Sequence, residues 1–256
     1  MKTKDIAWFF LPFIVLIIFW ESAVQLGFLN PSIYPAPSQV ASKFIELLQA
    51  NQIQNHVYSS ILRVLAGYGI SIVIGVSVGL ILGMNQNLSK AFNPILSLLI
   101  SIPTIAWVPL LLVVTGLGTK TIVLSVFLGG FFAISYNTMN GIRSVKKNLV
   151  NSALISGADK KKIFFDILLP ASLTSIIPGL RLGIGYSWRA LVGAEMLASK
   201  TGGLGRLIYG ARSYGGVEEM LVGLAVIGIL AFITDRVLMG TLEKKTIEKW
   251  GMVKKR

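Results

Sequence analysis

Charged side chains inside an apolar segment are the residues of this sequence best placed to act on a polar solute. Arg181 and Arg189 both fall within the apolar segment 173–197, and Glu195 follows near its end. Each arginine costs about 2.5 to 3.5 kcal/mol at mid-membrane, and the two together exceed what the apolar side chains of this segment return. Lipid therefore cannot surround this helix, and we expect its charges to face water or protein.

Arg181, Trp188 and Glu195 follow one another at intervals of seven residues. On an α-helix this spacing keeps them within about 20° per step of a single stripe. We predict that the stripe faces a wet translocation pathway. The alternative is that these side chains lie at interface depth and pair with neighbouring helices.

The sequence contains no residue set for covalent or metal chemistry. It has one histidine, His56, and no cysteine, which excludes disulfides, thiolate metal sites and a histidine metal cluster. We find no Ser-His-Asp or paired-carboxylate arrangement, and residues 118–121 lack the Gly-Lys pair and the spacing of a phosphate-binding loop. We therefore predict that the chain is not an enzyme and binds no cofactor, and that His56 packs or caps at the outer surface.

The composition is that of a protein with several membrane spans. Of its 256 residues, 54% are hydrophobic and 14% are charged, with a mean hydropathy of +0.72. The formal charge of +13 comes from basic residues that lie mostly between and after the apolar segments. This pattern favours a lipid bilayer, and not nucleic acid, as the surroundings of the chain.

Six apolar segments predict six transmembrane helices in an all-α membrane protein. They cover residues 7–25, 66–84, 95–115, 121–138, 173–197 and 217–239. The connections are predicted to be a proline-rich stretch and a helix capped by Ser38 after the first span, a polar loop at 85–93 and a glycine-rich loop at 198–216. The chain divides into an N-terminal helix (1–29), an outer connection (30–65), a core with five spans (66–240) and a basic tail (241–256).

The second and third spans carry patterns that predict their roles. Gly75, Gly79 and Gly83 recur every four residues, which lets another helix approach closely. In the third span Pro103 and Pro109 each remove a backbone hydrogen bond, so we predict a kinked helix that lines the pathway together with Trp107. A kinked helix that only packs against its neighbours is the alternative.

The distribution of lysine and arginine predicts the orientation. With a cytosolic N-terminus and six spans, sixteen basic residues fall on the cytosolic side and six on the outer side. This imbalance satisfies the positive-inside rule and places the polar stretch 146–170 in the cytosol, with both termini.

The polar stretch carries the motif that identifies a family. In SALISGADKKKIFFDILLP, residues 152–170, three residues separate Ala153 from Gly157, and Ile167, Leu169 and Pro170 follow after nine more. This spacing resembles the cytoplasmic loop of bacterial ABC importer permeases, with Asn151-Ser152 in place of their Glu-Ala. Further stretches resemble the nitrate, sulfonate and taurine branch; they are residues 34–38, His56, Ser60, 63–64, 102–110, 194–196 and 203–205.

The resemblance implies a type I ABC importer permease in the bacterial cytoplasmic membrane. Its partners would be a second permease copy, two ATPase subunits that bind ATP and Mg, and an extracytoplasmic solute-binding protein. A coupling helix around 149–159, within a loop at 141–170, would sit in a cleft on the ATPase and turn at Gly157. The residues expected to contact or orient the ATPase are Ser152, Ala153, Gly157, Ala158, Asp159, Ile167, Leu169 and Pro170.

Two other functions compete with this interpretation. An ion-gradient-driven carrier or channel would show a repeated half and several intramembrane acids, whereas no internal repeat is apparent and few acids, Glu21, Glu195 and Asp235 among them, lie in or near spans. A structural subunit without a pathway would leave the prolines and arginines unexplained. For an importer, the expected cargo is a small anionic or organic solute of the sulfonate, nitrate, taurine or thiamine-precursor type.

Overall fold

The computed structural model describes residues 3–243 and Thr246, without the side chains of 3–7, 9–10, 238–239 and 243. The described residues form helices joined by short connections, so the predicted all-α class is confirmed. The helices are α1 (Thr3–Gln25), α2 (Pro37–Gln49), α3 (Gln52–Met84), α4 (Gln86–Ser101), α5 (Trp107–Thr115), α6 (Thr119–Ser144), α7 (Lys147–Ile155), α8 (Lys160–Lys162), α9 (Leu169–Ala198), α10 (Leu204–Arg212), α11 (Val217–Ile233) and α12 (Gly240–Glu243). One 3-10 turn (Thr104–Ala106) precedes α5, and π-helical turns join α8 to α9 (Ile163–Leu168) and α11 to α12 (Thr234–Met239).

Helices α3 and α6 pack closely through small residues and run parallel. The contacts advance together along both helices, with Gly67 against Val126, Gly75 against Ile134, Gly79 against Thr138 and Gly83 against Ile142. A Cβ atom at Gly79 would lie 2.5 Å from the Cβ of Thr138, which shows how near the two backbones come. Since both helices point the same way, the chain between them must return across the full thickness of the bundle.

The return is made by α4 and α5 together. These helices are bent by 91° relative to each other, at the break formed by Ile102 and Pro103. Two predictions about this segment are wrong, the polar loop at 85–93 and the kinks at Pro103 and Pro109. Residues 86–93 are helical, because the side chain of Asn85 accepts hydrogen bonds from the backbone N–H groups of Asn87 and Leu88 and so caps α4.

The second error concerns the prolines of this span. Pro103 stands at a complete break in the helix, and not at a kink, because it is followed by a separate 3-10 turn. Pro109 is the third residue of α5, where its missing N–H would have no partner within the helix in any case. It therefore does not kink the helix.

Helix α9 packs antiparallel against α6 and completes the core. Gly130 lies beside Ser187, Gly183 beside Ile134, and Gly141 beside Ser175. The hydroxyl of Ser187 donates to the carbonyl of Val126 at 3.0 Å. The core thus consists of three long helices that meet through small residues, which is how helices associate where lipid supplies no hydrophobic drive.

The count of six transmembrane helices is not confirmed by the described residues. Four helical stretches are long and apolar enough to cross a membrane, namely Gln52–Met84, Thr119–Ser144, Lys160–Ala198 and Val217–Leu242. The bent pair of α4 and α5 raises the number to five. In α1, the apolar part Leu11–Gln25 falls in the class of shorter apolar helices.

Several connections also differ from those predicted. Helix α2 begins at Pro37, and its N-cap is Ala36 in place of the predicted Ser38. The N–H and the hydroxyl of Ser38 both donate to the carboxylate of Glu21 on α1 (3.0 and 2.8 Å). The glycine-rich connection after α9 contains α10. The proposed boundary between residues 65 and 66 falls within α3, and the tail 241–256 lies outside the described residues except for 241–243 and 246.

Candidate functional site

The coupling loop contains a short helix that ends at Gly157. Helix α7 stops at Ile155, and Gly157 follows with a φ of 82°, in the left-handed region that favours glycine. The N–H of Ala158 donates to the carbonyl of Ala153, and the N–H of Gly157 to that of Leu154, both at 3.0 Å. This pair of bonds is the Schellman motif, which fixes the direction in which the chain leaves the helix.

The remaining motif residues form the start of α9. The carboxylate of Asp159 accepts a hydrogen bond from the N–H of Lys162 at 2.9 Å and so caps α8. Ile167 lies in the π-helical turn that follows, and Leu169 and Pro170 are the first two residues of α9. The motif therefore runs without interruption from α7 through α8 and the π-helical turn into the helix that bears Arg181, Trp188 and Glu195.

Apolar side chains of α7 are exposed to an unusual degree for a loop rich in lysine. Ile155 is 88% exposed, and Leu149 and Leu154 are each about half exposed (52%). Ser152 is exposed as well. Its backbone carbonyl accepts a hydrogen bond from the hydroxyl of Ser156 at 2.9 Å. The surface that α7 presents is thus partly apolar.

Glu195 lies at the centre of a fully buried polar network. Its carboxylate accepts hydrogen bonds from the hydroxyl of Ser60 (2.9 Å to each oxygen), from Nη1 of Arg63 (2.7 Å) and from the N–H of Gly205 (2.9 Å). Glu195 is 0% exposed and Arg63 6% exposed. The ion pair therefore joins α9, α3 and the start of α10.

The connection between α9 and α10 is shaped around this ion pair. Arg63 also donates to the carbonyls of Thr201 and Gly202, and Nδ1 of His56 lies 2.7 Å from the carbonyl oxygen of Gly203. A Cβ atom at Gly203 would lie 2.5 Å from the carboxyl carbon of Glu195. Only glycine fits there, since its φ of 106° also belongs to the left-handed side of conformational space.

The other two residues of the predicted stripe also have protein partners. Nε and Nη2 of Arg181 each donate to Asp235 at 2.6 Å, which is a bidentate ion pair between α9 and the turn after α11. Nε1 of Trp188 donates to the hydroxyl of Thr234 at 3.0 Å. These contacts are what the alternative of pairing between helices expects, and the pathway role of the stripe stays a prediction.

The break between α4 and α5 borders a cavity of about 390 Å³. Pro103 and Trp107 line it on one side, and Phe132, Tyr186 and Arg189 line it from α6 and α9. Pro109 does not line this cavity. Of the three residues predicted in this span, two therefore lie at the same cavity as the charged helix.

Sequence reasoning missed the partners of the charged residues. Ser60, Arg63 and Asp235 were not predicted to pair with Glu195 and Arg181, although residues 60, 63–64 and 194–196 all belong to the stretches that carry the resemblance. The partners are 132 and 135 residues apart for Glu195 and 54 residues apart for Arg181, and no local pattern in one sequence joins positions at such separations. Across the described residues, no group of three or more His, Cys, Asp or Glu side chains could hold a metal ion.

Comparison with known proteins gives a consistent family. A family model described as the inner membrane component of binding-protein-dependent transport systems matches residues 71–244. The chain is 28% identical over 226 residues to the taurine transport system permease protein of Escherichia coli, covering 86% of this chain and 82% of that one. It is 30% identical over 211 residues to the nitrate import permease protein of Synechocystis, covering 79% and 76%.

A solved structure shares the fold. The MetNI methionine ABC transporter in an inward-facing conformation contains a chain that superposes with a TM-score of 0.64 at 19% identity. The match covers 78% of this chain and 98% of that one. The predicted resemblance to ABC importer permeases of the nitrate, sulfonate and taurine branch is confirmed by these matches.

Proposed function

Since the chain belongs to the family of binding-protein-dependent transport system inner membrane components, and is thus a permease subunit of an ABC importer, we propose that it carries a small anionic or organic solute. Taurine, aliphatic sulfonate, nitrate and bicarbonate appear in the names of its relatives. All four are small, and each carries a full negative charge on oxygen atoms. We expect the solute of this chain to be of that chemical class or a thiamine precursor of similar size.

The complete transporter would contain two copies of this chain, two ATPase subunits and an extracytoplasmic solute-binding protein. ATP and Mg would bind to the ATPase subunits. The observation that carries this proposal is the coupling loop, in which the exposed apolar side chains of α7 are followed directly by two fixed turns, the Schellman turn at Gly157 and the capped start of α8. A rigid, partly apolar helix on a cytosolic loop is suited to docking in a cleft of a soluble partner.

Coupling would follow from the continuity of this unit with α9. Ser152, Ala153, Gly157, Ala158 and Asp159 would contact or orient the ATPase, and Ile167, Leu169 and Pro170 would pass its displacement into α9. When ATP draws the two ATPases together, the two permease copies would tilt between inward-open and outward-open states. A pathway between the copies would include Pro103, Trp107, Pro109, Arg181, Trp188 and Glu195.

The orientation belongs to the same proposal. The chain would lie in the cytoplasmic membrane of a bacterium with both termini in the cytosol. The parallel arrangement of α3 and α6 supports this, because it makes α4 with α5 a full crossing and leaves α7 on the same side as the start of α4. Lys90, Lys146 and Lys147 then share the side that the positive-inside rule assigns to the cytosol.

Purification from the native membrane tests the proposal. We expect the affinity-tagged chain to bring an ATPase with it, and the complex with its binding protein to drive ATP-dependent uptake of radiolabelled taurine, nitrate or bicarbonate into proteoliposomes. The chain reconstituted alone should transport none of them. Uptake by the lone chain in response to an ion gradient would contradict the proposal and favour a secondary carrier.

A further inference from the structure

Arg189 differs from Arg181 and Glu195, the other charged residues of α9, in that it forms no ion pair with any described residue, although Asp235 lines two cavities with it. Within the part of the chain that the structure describes, its only recorded contact is with the ring of Tyr186, whose centroid lies 5.6 Å from the guanidinium carbon. Arg181 holds Asp235 through two nitrogens, and Glu195 is paired with Arg63. The charge of Arg189 is thus the one on α9 that the fold leaves uncompensated.

Arg189 also lies deep in the helix. In the apolar segment 173–197, whose midpoint is residue 185, Arg189 stands about 6 Å from the middle at a rise of about 1.5 Å per residue. An arginine at this depth requires water, an anion or another polar group, because hydrocarbon cannot solvate it. The residue is exposed on the surface of the single chain, so a polar surrounding can reach it.

Three cavities meet at this side chain. Arg189 lines the cavity of about 390 Å³ at the α4–α5 break, a second of about 530 Å³ toward α11, and a third of about 520 Å³ beside Arg181. Their walls are mostly apolar, with few polar groups, which is the usual make-up of a small-solute site. One turn away, Gly185 has no atom within 4 Å of where a Cβ would stand, so there is space beside the guanidinium.

The break in the helix between α4 and α5 supports the same location. Non-helical backbone at membrane depth is tolerated where it borders protein or a water-filled cavity. The break residues Ile102, Pro103 and Thr104 line the cavity that Arg189 also lines. A polar space is therefore expected on both structural grounds, the broken backbone and the unpaired cation.

We propose that Arg189 is the anion-binding residue of the translocation pathway. A sulfonate, carboxylate or nitrate group of the solute would accept two parallel hydrogen bonds from the guanidinium, a geometry that arginine favours for planar or trigonal oxyanions. The ring of Tyr186 holds the guanidinium in place while the anion is bound and after it has left. The inference rests on the proposed function, in that the solute carries negative charge.

The ion pair of Arg181 with Asp235 leaves Arg189 as the cation on α9 that can attract the solute. Asp235 neutralises Arg181, so each copy of the chain presents one net positive charge at this position of α9 and no ladder of cations. Transport requires a site that attracts the solute yet releases it. One uncompensated guanidinium from each copy, set between apolar walls, meets both requirements.

Iodide quenching of tryptophan fluorescence tests the site without knowledge of the solute. Trp107 lines the same cavity as Arg189 and reports on it, and Trp188 is buried, with 4% of its surface exposed. The other three tryptophans of the chain, Trp8, Trp20 and Trp250, are replaced by phenylalanine so that they do not contribute to the fluorescence. In the assembled transporter in phosphatidylcholine nanodiscs, Arg189→Gln should lower the iodide quenching constant at least about threefold, because the anion is no longer attracted. Quenching by neutral acrylamide should not change.

Arg236→Gln is the matched control. Arg236 also stacks on an aromatic ring, that of Phe232, at 5.6 Å, but it does not line these cavities. It should leave iodide quenching unchanged, and Arg189→Lys should retain most of it. Equal iodide quenching in Arg189→Gln and the unsubstituted protein would overturn the proposal. An Arg189 effect seen in maltoside micelles but absent in nanodiscs would also overturn it, since lipid phosphate would then be the anion.

Uptake separates this proposal from the proposed function. For whichever of taurine, nitrate or bicarbonate the unsubstituted complex carries, Arg189→Gln should lower uptake about tenfold or more, with assembly and basal ATP hydrolysis retained. Undiminished uptake in that variant would overturn the pathway role of Arg189. If the unsubstituted complex carries none of these probes, the proposed solute class fails, while the quenching result still decides the anion site.

Discussion

At the scale of single residues, the dominant feature is the buried carboxylate of Glu195, whose burial would be unfavourable without its partners. Glu195 accepts hydrogen bonds from Ser60, Arg63 and the backbone of Gly205, and none of its surface is exposed. A buried charge is tolerated when it is both paired and hydrogen-bonded, and it becomes costly when one partner is removed. The network therefore stabilises one arrangement of α3, α9 and α10.

We predict that Arg63→Met destabilises the purified permease by about 3 to 5 kcal/mol, because it leaves the charge of Glu195 buried and unpaired. The measurement is the thermal unfolding midpoint in detergent. Lys43→Met is the matched control, since it removes an exposed ion pair with Glu46 that contributes at most about 1 kcal/mol.

The double variant Arg63→Met with Glu195→Gln makes this prediction sharper. It should recover part of the lost stability, because no unpaired charge remains in the site. A double variant less stable than Arg63→Met alone would show that Glu195 acts through something other than its charge. Equal shifts for Arg63→Met and Lys43→Met would contradict the prediction.

At the scale of helices, the coupling loop depends on the backbone at one position. Gly157 has a left-handed φ, and no atom lies within 4 Å of where its Cβ would be. A side chain there would therefore meet no steric obstacle, and its whole cost would come from the backbone, about 1 to 2 kcal/mol for a residue with a Cβ. The Schellman turn would open and α7 would lose its fixed direction.

We predict that Gly157→Val uncouples transport and weakens ATPase association, while membrane insertion is unchanged. The measurements are the amount of ATPase that co-purifies and ATP-driven uptake into proteoliposomes. Gly157→Asn should be milder, since asparagine tolerates the left-handed region. Gly69→Val on α3 is the control, because Gly69 also has open space at its Cβ but no positive φ. Normal uptake in Gly157→Val would contradict the coupling role.

At the scale of the whole molecule, the parallel contact of α3 and α6 determines what the segment between them must do. Because both helices run the same way, α4 and α5 must together return the chain to the other side, in spite of their 91° bend. The coupling loop after α6 then lies on the side where α3 ends. In the proposed orientation, α2 and the connection between α9 and α10 lie on the outer side.

The sequence lacks cysteine, so the orientation can be measured with single substitutions. We predict that Lys90→Cys, in the first turns of α4, reacts with a membrane-impermeant maleimide only from the cytosolic side, and Lys120→Cys, at the start of α6, only from the outer side. Right-side-out and inverted vesicles distinguish the two. Labelling of both positions from the same side would contradict the proposed crossing by α4 and α5.

The sequence predicted some elements of the fold well because their signals are local. The small-residue stripe of α3, the turn at Gly157 and the long apolar segments depend on residues within one or two helical turns of each other. The helix at 86–93 and the break at Pro103 were mispredicted for the same reason. A polar helix and a loop have similar composition, and one proline can end a helix or merely bend it.

By itself, the sequence determined that this is an all-α membrane protein of the ABC importer permease family, because hydropathy, charge bias and one loop motif are properties of continuous stretches of chain. Only the tertiary structure decided which charges are neutralised. Glu195 meets Arg63 and Arg181 meets Asp235 through pairings that no spacing along the chain encodes. Among the described residues, Arg189 is the charged residue of α9 without an ion pair, because the one acid that lines its cavities, Asp235, is held by Arg181.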